Sequence, residues 1–316
     1  GSMLEELVKQ LPGGEITADG KLMIQGKEVK KILVDGKEFF SDDPQAALKN
    51  LPVEMVEKLK AYERKSDLAR LTGIDDGEEE MILDLSVKKD MKKGWMDNFL
   101  GGMGSKKRYE VANTMNRIRE NSQLTVIANW NNTNNQGFSE LQQQSSNATG
   151  NTRGRAGMGT SRSLGFNFSK DWGNVKFRSN VQYSGTDREE ESKTVTDNFM
   201  KAEKSITNST SSSRNRNNGV TGNAYLEWKI DTVTNLIFRP TFRYSTADRR
   251  GASYQKSWSG EEELNEKESS NWSESSQYSL ALMLQVNRKL NTRGRNVALK
   301  LDYGTNASTS DRLNYA

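Results

Sequence analysis

The sequence predicts a small α+β domain followed by an all-β antiparallel transmembrane barrel, of which about nine strands are present. Three observations lead to this prediction. From residue 95 onward, apolar and polar side chains alternate over runs of about ten residues, the length of a tilted membrane-crossing strand. The connections between these runs are alternately short and long. Charge and composition change abruptly at Lys92-Lys93-Gly94.

Composition excludes several kinds of site. The chain has 316 residues with 46 Lys+Arg and 42 Asp+Glu, and it has neither Cys nor His. Disulfides, thiolate zinc sites, cysteine nucleophiles and histidine-based triads are therefore excluded. The mean hydropathy is −0.85, and no apolar run reaches the roughly 18–20 residues of a spanning helix. A soluble protein would share these values, but alternation also dilutes the apolar face of a barrel.

The boundary near residue 94 separates two parts of opposite net charge. Residues 1–94 carry 16 basic and 20 acidic side chains, a net charge of −4, and residues 95–316 carry 30 and 22, a net charge of +8. Gly1-Ser2 before Met3 is typical of the scar left by tag removal. We therefore predict one domain over 1–94 and the barrel strands over 95–316.

The first part begins with a helix and a hairpin. The helix has one apolar face and ends at Pro12-Gly13-Gly14. Its apolar residues are Leu4, Leu7, Val8 and Leu11. Asp19-Gly20 is a strong two-residue turn signal and predicts a hairpin over 16–23. A β-rich run over 29–34 follows, with Asp35-Gly36 as a second turn.

A second helix and two further segments complete the first part. Pro44 suits the first helical position, and Asp43 can cap the free N–H groups of that helix. Pro52 opens another segment with an apolar face. That face consists of Met55, Val56 and Leu59. Residues 81–87 alternate loosely and predict the strand that leads into the barrel.

The strands of the second part have one apolar face. The clearest examples are Tyr278, Leu280, Leu282, Leu284 and Val286, followed by Val297, Leu299, Leu301 and Tyr303. We predict that these leucines face lipid, because lipid can neither solvate charge nor form hydrogen bonds. Between them, Gln285, Lys300 and Asp302 are expected to face the lumen or the first domain. The strand over 108–118 is ambiguous, since its apolar residues do not share one parity.

The connections predict which strand ends lie together. Tight turns are expected at 120–121, 171–174, 231–233 and 291–295, and long polar loops at about 133–160, 187–217 and 247–276. Tight turns at one end and long loops at the other are typical of outer-membrane barrels. Aromatic residues are expected at both ends, as at membrane interfaces. Trp130, Tyr183, Tyr244, Tyr278 and Tyr303 adjoin long loops or the chain end, and Trp172 and Trp228 adjoin tight turns.

A soluble β-sandwich or solenoid is the structural alternative, because its strands also alternate. Soluble strands average about five or six residues, which is shorter than the runs found here. Pro240 opposes a barrel strand, since proline cannot donate to the strand ladder, and we expect a bulge there.

Candidate ligand contacts form two groups. The group predicted to line the lumen is Arg178, Lys229, Arg239 and Arg243. Such a lumen would favour anionic or strongly hydrogen-bonding solutes. The group predicted in the long loops is Phe138, Trp258 and Trp272. Aromatic rings in loops either stack on a ligand or pack within the protein.

No catalytic residue, metal site or cofactor is predicted. The acidic run at 75–80 lacks the spacing of a calcium loop and is typical of a solvated loop. Glycines at 101–104 and 154–159 lack the strand–loop–helix context of phosphate-binding loops. Basic residues are interleaved within strands or scattered through loops, so nucleic acid is not an expected partner.

Several segments of the first part resemble known receptors. Those that resemble the plug domain of TonB-dependent receptors are Leu-Glu-Glu-Leu-Val-Lys-Gln-Leu-Pro-Gly at 4–13, Ile-Leu-Val-Asp-Gly-Lys at 32–37 and Leu-Pro-Val-Glu-Met-Val-Glu-Lys-Leu-Lys-Ala-Tyr at 51–62. Those that resemble Bacteroidetes-type outer-membrane β-barrel receptors within that superfamily are the runs at 35–44, 72–80 and 92–95. These segments cover nearly all of 1–95, whereas the barrel part matches by pattern alone.

The resemblance implies a plug that fills a barrel of about 22 strands in the cell outer membrane. It implies capture of an unidentified small solute by the outer loops and release of the plug by a TonB-type energiser, with a surface lipoprotein as a further candidate partner and no enzymatic activity. The matched segments start midway through the plug pattern, and neither a TonB box nor a closing strand is found, so we expect a fragment. Two alternatives stay open: a receptor that binds without transport, and a soluble β-rich interaction module.

Overall fold

The computed structural model describes most of the chain. The described residues are 4–17, 21–39, 44, 47, 48, 51, 53–66, 69, 77, 79–105, 107–133, 158–199, 204–260, 262–290 and 295–315. Their strands form two sheets, one of six strands and one of nine. Within this part of the chain, no helix has both the length and the hydropathy needed to cross a membrane.

The smaller sheet, here called the N-terminal sheet, is mixed. Its elements are α1 (Leu4–Val8), β1 (Gly14–Ile16), β2 (Leu22–Ile24), β3 (Lys27–Val34), β4 (Lys37–Glu38), β5 (Val56–Lys65) and β6 (Glu79–Val87), with 3₁₀ turns at Val53–Met55 and Lys89–Met91. The strand order is β1-β2-β3-β6-β5, with β4 paired to β3, and β3 runs parallel to β6. The predicted strand at 81–87 is therefore the central partner that joins β3 to β5.

The predicted elements of the first part are confirmed where the structure describes them. Leu4 and Val8 of α1 are fully buried, and Leu7 and Leu11 pack against the same core. The predicted hairpin over 16–23 forms, since Ile16 pairs with Leu22. Residues 44, 47 and 48 are helical, as expected after Pro44, while the proposed cap Asp43 lies outside the described residues.

The Asp35-Gly36 turn between β3 and β4 is tied to the neighbouring strand. Its two residues have positive φ angles of 49° and 73°, the signature of the tight hairpin turn that an Asp-Gly pair favours. Asp35 Oδ1 accepts hydrogen bonds from Val87 N at 3.1 Å and Lys92 Nζ at 3.2 Å. Asp84 Oδ1 accepts one from Gly36 N at 3.2 Å. These bonds place β4, and with it Glu38, at a defined end of the N-terminal sheet.

The larger sheet, here called the long-stranded sheet, is antiparallel throughout. Its strands are β7 (Gly94–Gly104), β8 (Arg108–Arg119), β9 (Ser122–Asn131), β10 (Met158–Asp171), β11 (Val175–Phe199), β12 (Lys204–Lys229), β13 (Thr234–Ser259), β14 (Glu262–Lys289) and β15 (Asn296–Tyr315). Each strand pairs with its neighbour in sequence, and β7 and β15 form the edges within the described residues. The predicted count of nine strands is confirmed.

The prediction that residues 187–217 and 247–276 form loops is wrong. They are the outer halves of the β11–β12 and β13–β14 hairpins, which stay in register from Lys176↔Glu227 out to Phe199↔Lys204 and from Thr234↔Arg288 out to Ser257↔Asn265. Polar Ser, Thr and Asn residues on both faces look like loop sequence, yet backbone pairing needs no apolar face. The long connection at 133–160 lies largely outside the described residues.

The predicted arrangement of the strand ends is confirmed. Asp171 pairs with Lys176 at the tight turn, where β11 begins, and Phe199 pairs with Lys204 at the far end of the same strand. The antiparallel order then places all described tight turns at one end of the sheet and the long hairpins at the other.

Pro240 is accommodated without the expected bulge toward β12. The ladder lacks the pairs opposite Arg239 and Pro240, but Asn223↔Thr241 and Leu226↔Phe238 on either side keep the same register. The ladder to β14 continues through Pro240↔Leu282. Because proline has no N–H, it interrupts only the ladder to which that N–H would donate.

Candidate functional site

The two faces of the long-stranded sheet have opposite chemistry. Along β10, Leu164 and Phe166 are 52% and 41% exposed, whereas Asn167 and Ser169 are 2% and 0% exposed. We call the side that carries Leu164 the apolar face and the side that carries Asn167 the polar face. Soluble sheets bury the apolar face and expose the polar one. Here that relation is reversed.

The reversal extends across the sheet. Exposed on the apolar face are Val181, Trp228, Phe242, Leu299 and Leu301. Buried on the polar face are Gln123, Thr125, Asn180, Gln182, Glu227, Gln285 and Asn287. The facing predicted from alternation is therefore confirmed for β14 and β15: the leucines lie on one side and Gln285, Lys300 and Asp302 on the other. Lys300 and Asp302 are exposed because they lie on the edge strand.

The polar face is covered by the N-terminal sheet at the end with the tight turns. Gln123 Nε2 donates to Val34 O at 3.0 Å, and Lys37 Nζ donates to Glu120 O at 3.0 Å. Ile118 and Ile127 leave the polar pattern and join the apolar core of the N-terminal sheet. Ile118 accounts for the ambiguous parity of 108–118, because β8 faces protein rather than water or lipid on that side.

Two of the predicted arginines converge on one tyrosine of the polar face. The guanidinium carbons of Arg178 and Arg239 lie 5.5 Å and 4.9 Å from the centroid of the Tyr225 ring. Tyr225 Oη donates to Glu227 Oε2 at 2.8 Å, and Lys176 Nζ lies 3.2 Å from Glu227 Oε1. The result is a band of cations on the polar face, held by an aromatic ring and one buried carboxylate.

Glu38 of the N-terminal sheet faces this band. It is 8% exposed, and Lys31 Nζ and Arg64 Nη2 lie 3.5 Å and 3.7 Å from its Oε1 atom. Burial by itself would raise the pKa of Glu38, but Lys31, Arg178, Arg64 and Arg239 together hold that pKa below its usual value. Glu38 therefore stays ionised and attracts cations of both sheets. Sequence reasoning missed it, because a single Glu before Phe39 carries no local signal of burial.

The remaining candidate residues are not brought together. Arg243 lies on the same polar face as Arg239, but it is exposed and lies farther along β13, toward the hairpin tip. Trp258 and Trp272 lie on the opposite side of the sheet, in register with Ile206 and with Arg250. Along β13 these two levels are separated by about 26 Å at roughly 3.3 Å per residue. Phe138 lies outside the described residues.

Aromatic side chains mark two levels of the apolar face. Near the tight turns, Arg117 lies 5.1 Å from the Trp95 ring and Lys170 4.9 Å from the Trp172 ring. At the other level, Tyr244 pairs with Tyr278. The level of Trp228 and that of Tyr244 are about 26 Å apart along the strands, at roughly 3.3 Å per residue. That interval is the length of a membrane-crossing strand of about 9–11 residues.

Comparison with known proteins identifies no family. No protein-family model matches the sequence, and no curated protein matches it. Solved structures with weak similarity include the ferric-catecholate import receptor Fiu from E. coli K12 (TM-score 0.30, 8% identity, 99% of this chain and 64% of that one). They also include the copper transporter OprC (TM-score 0.28, 8% identity, 97% and 57%) and the FrpB iron transporter from Neisseria meningitidis (TM-score 0.26, 11% identity, 92% and 59%). The chain thus spans about three fifths of their length.

Proposed function

We propose that this chain forms part of an outer-membrane β-barrel receptor of the TonB-dependent type, which captures a small solute and admits it past a plug. In this proposal residues 1–94 are the plug-like domain and residues 95–316 are barrel wall with outer hairpins. The observation that carries the proposal is the reversed polarity of the long-stranded sheet. An exposed apolar band in water favours aggregation, whereas the same band in a bilayer has its preferred solvent.

Three further features support the membrane orientation. Every described pair in the long-stranded sheet is antiparallel between chain neighbours, as in an up-and-down barrel. The aromatic levels bound the apolar band, with cations over the rings of Trp95 and Trp172 at one of them. The hairpins that extend past Tyr244 carry mostly polar and charged residues on both faces, which suits exposure to water outside the bilayer.

The contact between the two sheets supports the plug assignment. The N-terminal sheet is bound to the polar face by the Gln123–Val34 and Lys37–Glu120 hydrogen bonds and by the charges around Glu38. These polar contacts accompany the apolar contact of Ile118 and Ile127 with the core of the N-terminal sheet. A solute could pass only after some of them break, and an energiser of the TonB type would supply that work. Partner proteins, including a surface lipoprotein, belong to the same proposal.

The proposal is tested by the solvent that each face contacts. Because the chain has no Cys, single cysteines can carry a nitroxide label without background. Phe242 and Thr241 are adjacent, both exposed, and on opposite faces of β13. After refolding into phosphatidylcholine–phosphatidylglycerol vesicles, we expect a label at Phe242→Cys to collide mainly with oxygen, which partitions into lipid. A label at Thr241→Cys should collide mainly with a water-soluble nickel chelate. Equal access of the nickel chelate to both labels would exclude the membrane orientation.

A further inference from the structure

An arginine row crosses the polar face of the long hairpins. The backbone register places Arg188 beside Asn215, Asn215 beside Arg249, Arg249 beside Ser273, and Ser273 beside Arg312. Side chains at directly paired positions lie on the same face of a sheet. Arg188, Arg249 and Arg312 therefore stand in one line across β11, β13 and β15, with a small polar residue on each strand between them.

The spacing of the arginine row follows from sheet geometry. Neighbouring strands lie about 4.8 Å apart, so consecutive arginines are about 10 Å apart and the whole row spans about 19 Å. Asn215 and Ser273, on the strands between the arginines, have shorter side chains than arginine. The row can therefore meet a ligand whose charged groups are spread over several bonds, rather than one compact ion.

The same stretch of the hairpins carries arginines on the other face, and those are neutralised. Arg214 Nη2 lies 2.7 Å from Asp187 Oδ2, and Arg214 Nη1 lies 3.2 Å from Glu189 Oε1. Arg216 also binds Asp187. On that face, carboxylates of the neighbouring strand or the same strand occupy the guanidinium groups, so little of their charge is available to a ligand.

Arg250 and Arg249 show the contrast most directly, because they are neighbours in sequence. Arg250 Nη2 lies 3.2 Å from Asp248 Oδ2 on the apolar face. Arg249 and Arg312, on the polar face, are exposed and form no hydrogen bond or ion pair with any described residue. Only Ser273 lies between these two arginines, and like charges in one line are unfavourable unless an anion binds between them.

The rows on either side of the arginine row supply hydrogen-bonding groups. Toward the tight turns the register aligns Thr186, Asn217, Ala247, Ser275 and Ser310, and toward the hairpin tips it aligns Glu190, Ser213, Gly251, Asn271 and Asn314. Glu190 is the one carboxylate among these ten positions. Hydroxyl and amide groups here can bind the neutral oxygens of a ligand whose anionic groups meet the arginines.

The arginine row lies on the part of the polar face that the N-terminal sheet does not cover. Gln182 is the last buried residue of the polar face along β11, and Arg188 is about 20 Å beyond it at roughly 3.3 Å per residue. Arg188 also lies beyond the level of Tyr183, where the aromatic residues bound the apolar band. Solutes that approach from the side of the long hairpins would meet the arginine row before they reach the N-terminal sheet.

We propose that the arginine row is a binding site for a multiply anionic, hydroxyl-bearing solute, such as a sulfated, phosphorylated or polycarboxylated oligosaccharide-like molecule. This inference rests on the proposed function, since it names the class of solute that the receptor would capture. Arg178 and Arg239, which both contact the Tyr225 ring, lie on the same polar face but nearer the tight turns. Positive charge therefore continues from the arginine row toward the contact with Glu38.

The test uses the full chain in detergent with fluorescein-labelled dextran sulfate as the anionic probe and uncharged dextran of equal length as its control. Fluorescence anisotropy at about 0.15 M salt should show binding of the sulfated probe alone. Arg249→Gln should weaken binding about two- to fivefold, the range for an exposed charge pair. The triple variant of Arg188, Arg249 and Arg312 to Gln should lose at least about tenfold if these effects add.

Arg250→Gln is the matched control, because it removes the same charge one residue away on the opposite face. It should change binding less than twofold. Equal losses for Arg249→Gln and Arg250→Gln, or no binding of the sulfated probe, would overturn the proposed site. Circular dichroism of each variant checks that the β-structure is intact, as expected for exposed side chains.

The nitroxide experiment separates this inference from the proposed function. If the Phe242 label contacts lipid but no anion binds, the membrane receptor stands and the anion site is wrong. If Arg249→Gln and Arg250→Gln differ as expected but the Phe242 label contacts water, the anion site stands and the membrane orientation is wrong.

Discussion

Glu38 lies where the N-terminal sheet meets the polar face of the long-stranded sheet, with Lys31 Nζ and Arg64 Nη2 within 3.7 Å of its carboxylate. Arg178 and Arg239 on the other sheet add to the positive potential at that carboxylate. A buried charge of this kind contributes mainly by compensating its partners, which would otherwise be buried without an anion.

The first prediction follows from that compensation. Glu38→Gln should lower the free energy of unfolding by about 3–5 kcal/mol, because it leaves buried cations unpaired while it preserves side-chain size. Denaturant unfolding of the full chain in detergent measures the loss. Glu63→Gln is the control, since Glu63 pairs with Lys27 on the exposed side of β5, and its effect should be much smaller. Equal losses in the two variants would show that Glu38 has no special role.

The second prediction concerns pH. The pKa of Glu38 is lower in the folded protein than in the unfolded chain, where Glu has a pKa of about 4.3. Its stabilising contribution is therefore complete above about pH 4.3 and is lost as the pH falls through the lower folded value. The stability difference between the native chain and Glu38→Gln should be constant from neutral pH to about pH 5 and should shrink only in more acidic solution. A difference that shrinks above pH 6 would contradict the assignment.

Two neighbouring residues of one strand lie at nearly the same depth in the proposed bilayer but on opposite faces of the sheet. Leu282 lies on the apolar face of β14, opposite Pro240 and Tyr303, and its neighbour Ala281 lies on the polar face opposite Thr241. The ladder itself is the same for both residues. Any difference between them therefore reports the solvent that each face contacts.

The third prediction uses that pair. Leu282→Lys should destabilise the protein in vesicles by about 2–4 kcal/mol, the range for a lysine placed at mid-depth on a lipid-facing barrel surface. Ala281→Lys should have a much smaller effect, because the polar face accepts charge. Reversible denaturant unfolding from vesicles measures both. A larger loss for Ala281→Lys would mean that the polar face, not the apolar face, lacks water.

At the scale of the whole molecule, the two edges of the long-stranded sheet dominate its behaviour. Within the described residues, β7 and β15 pair with one neighbour each and not with one another. Their free N–H and C=O groups have no partner in hydrocarbon, where closed barrels are the stable arrangement of strands. In water the exposed apolar face adds a second cause of association.

The fourth prediction is that this chain by itself associates unless detergent or lipid is present. Light scattering at several concentrations should show mass rising with concentration in detergent-free buffer and a defined particle in detergent. The exposed apolar face of the long-stranded sheet and its unpaired edge strands both lead to this result. A monodisperse monomer in detergent-free buffer, with sharp cooperative unfolding, would refute the membrane-barrel proposal.

Local sequence determined most of the secondary structure, because period-two alternation and turn chemistry act over a few residues. The α1 face, the hairpin at Ile16↔Leu22, the nine long strands and the facing of Gln285 against its leucine neighbours were all predictable for that reason. The hairpin extensions were not, since Ser- and Thr-rich strands that are wet on both faces have no apolar alternation to reveal them.

The tertiary structure alone decided which polar residues meet. Alternation places Arg178 and Arg239 on one face, but only strand register brings both to Tyr225, and only the docking of the N-terminal sheet brings Glu38 to them. The same holds for Arg188, Arg249 and Arg312, which are far apart in sequence and aligned solely by the ladders between them. Side-chain periodicity is a property of residues that are neighbours in sequence. Register is set by pairing across the whole sheet, so it cannot be derived from the periodicity of a single sequence.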